Sequence, residues 1–235
     1  MKILFLDILT GDRKLREFSN KKIHKGSNCS EAMRKAFGLR PEEWESVDAA
    51  FEPLPKDIAE YPAIVIGGSY EDPVMGREKP WMRRTYPLIK KIIKKQIPLL
   101  GICGGLQFTV RTFGGKIIDN PKGREFGTIK VRLTQAGQND TLFHGIPKNF
   151  FAQSSHRCVA KNLKPSWELL GSSELCRFQA IAIGSHIRLL QFHPEMALSE
   201  LKATARAKQI KAYSAKNTSK TGKKILKNFL KYFVK

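Results

Sequence analysis

The stretch PLLGICGGLQ, residues 98 to 107, limits the possible folds more than any other part of the chain. An apolar run suited to a buried strand stops at Cys103, and two glycines follow at once. Residues 104–113 then read as a helix closed by Gly114-Gly115. A strand that turns directly into a helix is a unit of a parallel sheet flanked by helices. The same grammar recurs upstream. Residues 2–8 form an apolar strand, and Tyr61-Pro-Ala-Ile-Val-Ile66 is a β-branched run ending in Gly67-Gly68-Ser69. A helix is predicted over Ser30 to Phe37 within a mixed stretch at 15–39. Another is predicted over Pro87 to Gln96, with Leu88, Ile89, Ile92 and Ile93 on one face, four lysines opposite, and Pro87 in its first turn.

The second half changes character. Strand-like runs at 127–134, 168–175, 177–183 and 186–192 follow closely, and Gly184-Ser185 joins the last two as a hairpin turn. These predict antiparallel strands added to the parallel core. With 235 residues, no internal repeat and no Gly/Ser linker, one domain over 1–235 is expected. Its end, residues 202–235, is Lys-rich, and residues 202–224 are expected to be partly mobile. In the last stretch Ile225, Leu226, Phe229, Leu230 and Phe233 share one helical face, which predicts a terminal helix docked on the sheet.

Charge and cysteines bound the function. The formal net charge is +21, a field that attracts polyanions such as RNA or acidic membrane surfaces. The lysines lack interleaved aromatics and an RNA-binding signature, so solvated surface lysines are the plainer reading. The four cysteines have no CxxC spacing, and no metal site or cofactor is expected. No apolar stretch is long enough to span a bilayer. MKILFLDIL carries Asp7 and lacks a basic leader and a small-residue cleavage site, so it reads as a first strand and the cytosol is the expected address.

Cys103 stands where a strand turns sharply into a helix, in the pattern of a G-x-S-x-G nucleophile elbow with sulfur in place of oxygen. The helix N-terminus behind it favours thiolate, and the N–H of Gly104 can face an oxyanion. A nucleophilic cysteine needs a base. LLQFHPE supplies one: its apolar strand ends at His193, and Glu195 is placed to orient the ring. Gly67-Gly68-Ser69 ends another predicted parallel strand, so its N–H groups can join the same crevice. His24, His144 and His186 are read as structural or surface residues.

GGS at 67–69, GICGGLQ at 101–107 and HPE at 193–195 together resemble the class I (triad) glutamine amidotransferases. REFG at 124–127 and SSH at 154–156 are similar to segments of the branch that holds GMP synthase amidotransferase domains and their stand-alone relatives. The resemblance implies an α/β, flavodoxin-like three-layer sandwich, mostly parallel with an antiparallel extension. It implies Cys103 as nucleophile, His193 as base and then acid, Glu195 as its orienting carboxylate, and Gly68 and Gly104 as oxyanion donors. Gln107, Ser155 and His156 are implied to hold L-glutamine. Glutamine would be cleaved through a γ-glutamyl thioester to glutamate and ammonia for a synthetase partner of the ATP-pyrophosphatase type. The serine-rich phosphate loop of such a synthetase is absent, so that partner is another chain. Two positions depart from the family pattern: Cys158 replaces an Asp usual in GMP synthase domains, and Ser69 replaces a frequent Pro. The alternatives are a stand-alone hydrolase of γ-glutamyl amides or peptides, and a basic RNA- or partner-binding protein with a vestigial triad.

Overall fold

The computed structural model describes residues 2–234. In chain order the first half carries β1 (Ile3–Asp7), α1 (Arg13–Lys22), α2 (Cys29–Phe37), β2 (Trp44–Asp48), β3 (Ile64–Ile66), α3 (Pro80–Lys94), β4 (Leu99–Ile102) and α4 (Gly104–Thr112). The second half carries β5 (Ile117–Asp119), β6 (Glu125–Leu133), α5 (Gln135–Asn139), β7 (Asn149–His156), β8 (Cys158–Ala160), β9 (Glu168–Ser172), β10 (Ala180–Ile183), β11 (Ile187–Leu190), α6 (Leu198–Ala207) and α7 (Ser219–Phe233).

Nine strands form one sheet in the order β2-β1-β3-β4-β11-β10-β9-β6-β7. The pairings from β2 across to β11 are parallel, and those from β11 to β7 are antiparallel. Side chains alternate across each strand, so the parallel part feeds two cores. Leu4, Leu6, Ile64 and Ile66 point to one face, where Met82, Ile89 and Ile92 of α3 and Leu106 and Phe108 of α4 cover them. Phe5, Val65, Leu100 and Ile102 point to the other, under Met33 and Phe37 of α2 and Phe229 and Phe233 of α7. This is the expected three-layer arrangement with an antiparallel extension.

The helix ends follow from capping. Asn28 accepts from the Glu31 amide at 2.8 Å to start α2, and Gly38 closes it at φ +73°. The helix predicted to begin at Pro87 begins instead at Pro80, with Pro87 inside it. Pro80 takes the first helical position, where the missing N–H costs nothing. The terminal helix docks as expected: Ile225, Leu226, Phe229 and Phe233 are buried, and Leu230 is partly so.

The stretch expected to be partly mobile is structured. Its first part belongs to α6, and residues 208–217 are strapped along β6 and β7. Thr128 N–H donates to Ser214 O at 2.7 Å, Lys216 N–H to Thr128 Oγ1 at 2.8 Å, and Gln153 Nε2 to Lys216 O at 2.8 Å. Backbone pairing and the edge-on contact of Tyr213 with Phe126 order a stretch whose composition alone suggested solvent. Among the described residues, no helix is long and apolar enough to cross a membrane.

Candidate active site

Strands β3, β4 and β11 are neighbours and parallel, so their carboxyl ends open on one edge of the sheet. Each delivers one part of the site. At the end of β4, Cys103 adopts φ +51° and ψ −97°. An L-residue there stores about 1–3 kcal/mol of backbone strain. The surrounding structure holds it: Cys103 N–H donates to Leu190 O at 2.6 Å, and Gly105 N–H to Gly67 O at 3.0 Å. A Cβ on Gly105 would lie 2.5 Å from Ile66 O, so only glycine lets α4 approach β3 this closely. Cys103 occupies the N-cap position of α4, its side chain making no capping hydrogen bond, and is nearly buried.

His193 lies just past β11, fixed by its N–H donating to Gln153 O at 2.8 Å. Its Nδ1 is 2.7 Å from Glu195 Oε1, and its ring lies against Gly68 and the Cys103 sulfur. Burial alone would lower the pKa of His193. The charge of Glu195 and the sulfur of Cys103 outweigh it and raise the value to about 10. Gln191, two residues earlier on the same face, directs Nε2 at Cys103 Sγ at 3.6 Å. The turn carrying Glu195 is braced by α7: a Cβ on Gly222 would fall 2.0 Å from Pro194 O.

Gly68 sits beside Gly104, and a Cβ on Gly104 would lie 3.1 Å from the Gly68 carbonyl carbon. Among the described residues, neither amide donates a hydrogen bond within the protein. Both are therefore available to an oxyanion.

The three residues expected to hold glutamine divide. Ser155 lines the cavity beside Cys103. Gln107 does not: its side chain is buried and donates to Cys158 O at 3.1 Å. His156 lines a second cavity that also opens at Cys103, but its ring nitrogens are engaged within the fold, with Nε2 2.8 Å from Glu125 Oε2 and Nδ1 3.2 Å from Cys158 O. The family resemblance implied a glutamine contact for each from its motif position. Their polar atoms face inward because the buried Glu125 and the Cys158 carbonyl need donors.

Glu125 also accepts from Ser154, Ser173 and Gln179. Burial pushes its pKa up, but the His156 ring and the two serine hydroxyls pull it below 4.5. Its contribution to stability is full above pH 4.5 and is lost as pH falls through the depressed folded value. Glu125→Gln is therefore expected to cost about 3–5 kcal/mol at neutral pH, since one partner of a buried pair is removed. Urea unfolding should show this cost shrinking as the pH is taken below 4.5.

Two adjoining cavities meet at Cys103. One, of about 90 Å³, also has His193, Glu195, Gly68, Tyr70 and Lys208 in its walls. The other, of about 440 Å³, shares Cys103, Ser155 and Lys208 and adds Asp72, Arg124 and Arg157. His24, read as structural or surface, lines the smaller cavity with its Nδ1 3.3 Å from Glu200 Oε1. Tyr70, Glu200 and Lys208 carried no motif signal in the sequence. Gln191 did, because alternate residues of LLQFHPE share a face. Among the described residues, no group of His, Cys, Asp and Glu is arranged to hold a metal ion.

The profile of the family described as glutamine amidotransferase class-I matches residues 33–212. The chain is 30% identical over 165 residues to γ-glutamyl peptidase 3 of Arabidopsis thaliana, covering 68% of this chain and 65% of that one. It is 39% identical over 106 residues to the glutamine-hydrolysing GMP synthase of Thermosipho africanus, covering 45% of this chain and 20% of that one. The chain thus spans less than two thirds of either relative. A crystal structure of a glutamine amidotransferase from Thermotoga maritima shares the fold, with a TM-score of 0.76 at 21% identity over 100% of this chain and 98% of that one. Because the family match covers most of its 235 residues, the chain belongs to the class I glutamine amidotransferases.

Proposed function

We propose that this chain, as one domain, hydrolyses the side-chain amide of L-glutamine by a Cys103–His193–Glu195 triad. The observation that carries the reading is the meeting of a strained cysteine at a helix N-cap position with a histidine bonded to a carboxylate at 2.7 Å. The Cys103 thiolate attacks the amide carbon, and the oxyanion rests on the N–H groups of Gly68 and Gly104. His193, as imidazolium, protonates the departing nitrogen, and ammonia leaves a γ-glutamyl thioester. Neutral His193 then takes a proton from water, hydroxide attacks the thioester, and glutamate and the thiol are released. The chemistry uses only these side chains. Ammonia passes to a synthetase subunit of the ATP-pyrophosphatase type, by analogy with the GMP synthase relatives. A cytosolic address accords with four unpaired cysteines.

A second reading, hydrolysis of γ-glutamyl peptides, is favoured by the larger cavity beside Cys103, which leaves room for a leaving group bulkier than ammonia. The similarity to γ-glutamyl peptidase 3 supports it. The test is release of ammonia from L-glutamine beside release of amine from a panel of γ-glutamyl peptides, by the chain alone. Glutamine turnover supports the amidotransferase reading, and turnover of peptides alone supports the peptidase. Turnover of neither, with Cys103 slow to react with alkylating agents, sinks both.

A further inference from the structure

Lys208 follows α6 directly, and its side chain reaches back into the site. Its ammonium donates to Ser155 Oγ at 3.2 Å and stands 5.5 Å from the centroid of the Tyr70 ring. Among the described lysines, only Lys208 forms part of the walls of both cavities that meet at Cys103. Lys208 is exposed like most lysines of so basic a chain, but its ammonium is held over an aromatic face in walls it shares with Cys103. Among the described residues it has no carboxylate at ion-pair distance, and neither does Arg124 in the same wall. The one acid lining the larger cavity, Asp72, is 3.8 Å from Arg157. The larger cavity's wall therefore carries three cationic side chains, Arg124, Arg157 and Lys208, against one acid, while the smaller cavity adds Glu195 and Glu200.

A γ-glutamyl amide brings a matching group. With its amide carbon at Cys103, its remaining charged end must settle in one of these cavities. An ammonium already anchored by a hydroxyl and a ring loses little freedom on meeting a carboxylate. We propose that Lys208 is a specificity-determining residue whose ammonium binds a carboxylate of the substrate, so that the site selects γ-glutamyl amides carrying a free carboxylate over neutral amides. The inference rests on the hydrolase reading above. The carboxylate has two sources: the α-carboxylate of the γ-glutamyl group, or one carried by the leaving group of a γ-glutamyl peptide. Desolvation of its ammonium in the cavity pulls the Lys208 pKa down and Arg124 adds to this, while Cys103 and Asp72 oppose it.

The test compares the full chain with Lys208→Met and Lys208→Arg by two readouts. The first needs no turnover. Alkylation of Cys103 is followed by peptide mass spectrometry with iodoacetate, an anion, and iodoacetamide, its neutral counterpart. The ratio of the two rates should fall about tenfold in Lys208→Met and be retained in Lys208→Arg, because a charge-assisted contact is lost and then restored. Division by the iodoacetamide rate removes any change in the thiol itself. The second readout is kcat and KM on glutamine, glutamine α-amide, and a γ-glutamyl peptide with free or amidated C-terminus. Lys208→Met should raise KM about ten- to hundred-fold with kcat little changed. An effect that disappears in glutamine α-amide assigns the α-carboxylate; one that disappears only in the C-terminally amidated peptide assigns the leaving group. An unchanged alkylation ratio in Lys208→Met overturns the proposal. If the wild type turns over nothing, the hydrolase reading fails, and the alkylation ratio still decides whether Lys208 presents its charge to an anion at Cys103.

Discussion

Cys103→Ala is expected to abolish hydrolysis of every γ-glutamyl substrate, with kcat reduced about 10⁴-fold or more. No thioester can form, and the remaining oxyanion donors and His193 support only slow direct attack by water. The fold should survive, because alanine keeps the Cβ and the sulfur's polar contacts are confined to the site, with the His193 ring and with Gln191 at 3.6 Å. A second variant separates chemistry from backbone strain. At φ +51° glycine is at ease, so Cys103→Gly should be inactive yet more stable than Cys103→Ala by about 1–2 kcal/mol. Calorimetry and a stopped ammonia assay measure the two effects. Activity of Cys103→Ala within tenfold of wild type would remove the nucleophile from the mechanism.

His193→Ala is expected to lower kcat/KM about 10²–10⁴-fold, the usual range for loss of a positioned acid and base. Glu195→Gln tests the same pair through pH. Burial disfavours the His193 imidazolium, but Glu195 and the Cys103 sulfur raise its pKa from 6.5 to about 10. The imidazolium must protonate the leaving nitrogen, so the alkaline limb of kcat/KM should lie close to pH 10 in the wild type. Glu195→Gln removes the largest favourable charge, and the limb should move toward 6.5. Stability carries the same sign. A histidine whose folded pKa is raised contributes stability fully present below pH 6.5, and that contribution is lost as pH rises to about 10. The Tm advantage of wild type over His193→Ala should therefore decline across that window. An alkaline limb that stays in place in Glu195→Gln would show that the carboxylate does not tune the ring.

Legibility varied along the chain for physical reasons. The strands of the parallel core are short apolar runs because both faces are covered, and such runs are visible in any sequence. By contrast β7, NFFAQSSH, mixes buried polar residues with exposed Phe151, so it lacked an apolar alternation; Gln153, Ser154 and His156 are buried because the site and the Glu125 network take their hydrogen bonds. α1, RKLREFSNKK, buries only Ser19 and carries no apolar stripe to read. The start of α3 was not legible because Pro80 and Pro87 both suit a first helical turn, and only the fold shows that the helix runs through Pro87.

The site divides in the same way. Cys103, His193 and Glu195 were legible because each lies in a short motif whose local geometry, an elbow or a strand end followed by proline, is encoded by its immediate neighbours. Gln107 and His156 were legible as motif members, but the direction of their side chains was not, since that depends on which buried acceptor lacked a donor. Tyr70, Glu200 and Lys208 reach the cavity from segments with no motif at all. The sequence by itself singled out Cys103 and His193 for the proposed roles of nucleophile and base, because the local geometry that suits each is set over a few residues of backbone. Only the tertiary structure decided that they meet, and which cation stands beside them. β3, β4 and β11 become neighbours only through long-range sheet pairing, and Lys208 arrives only because α6 returns across their ends.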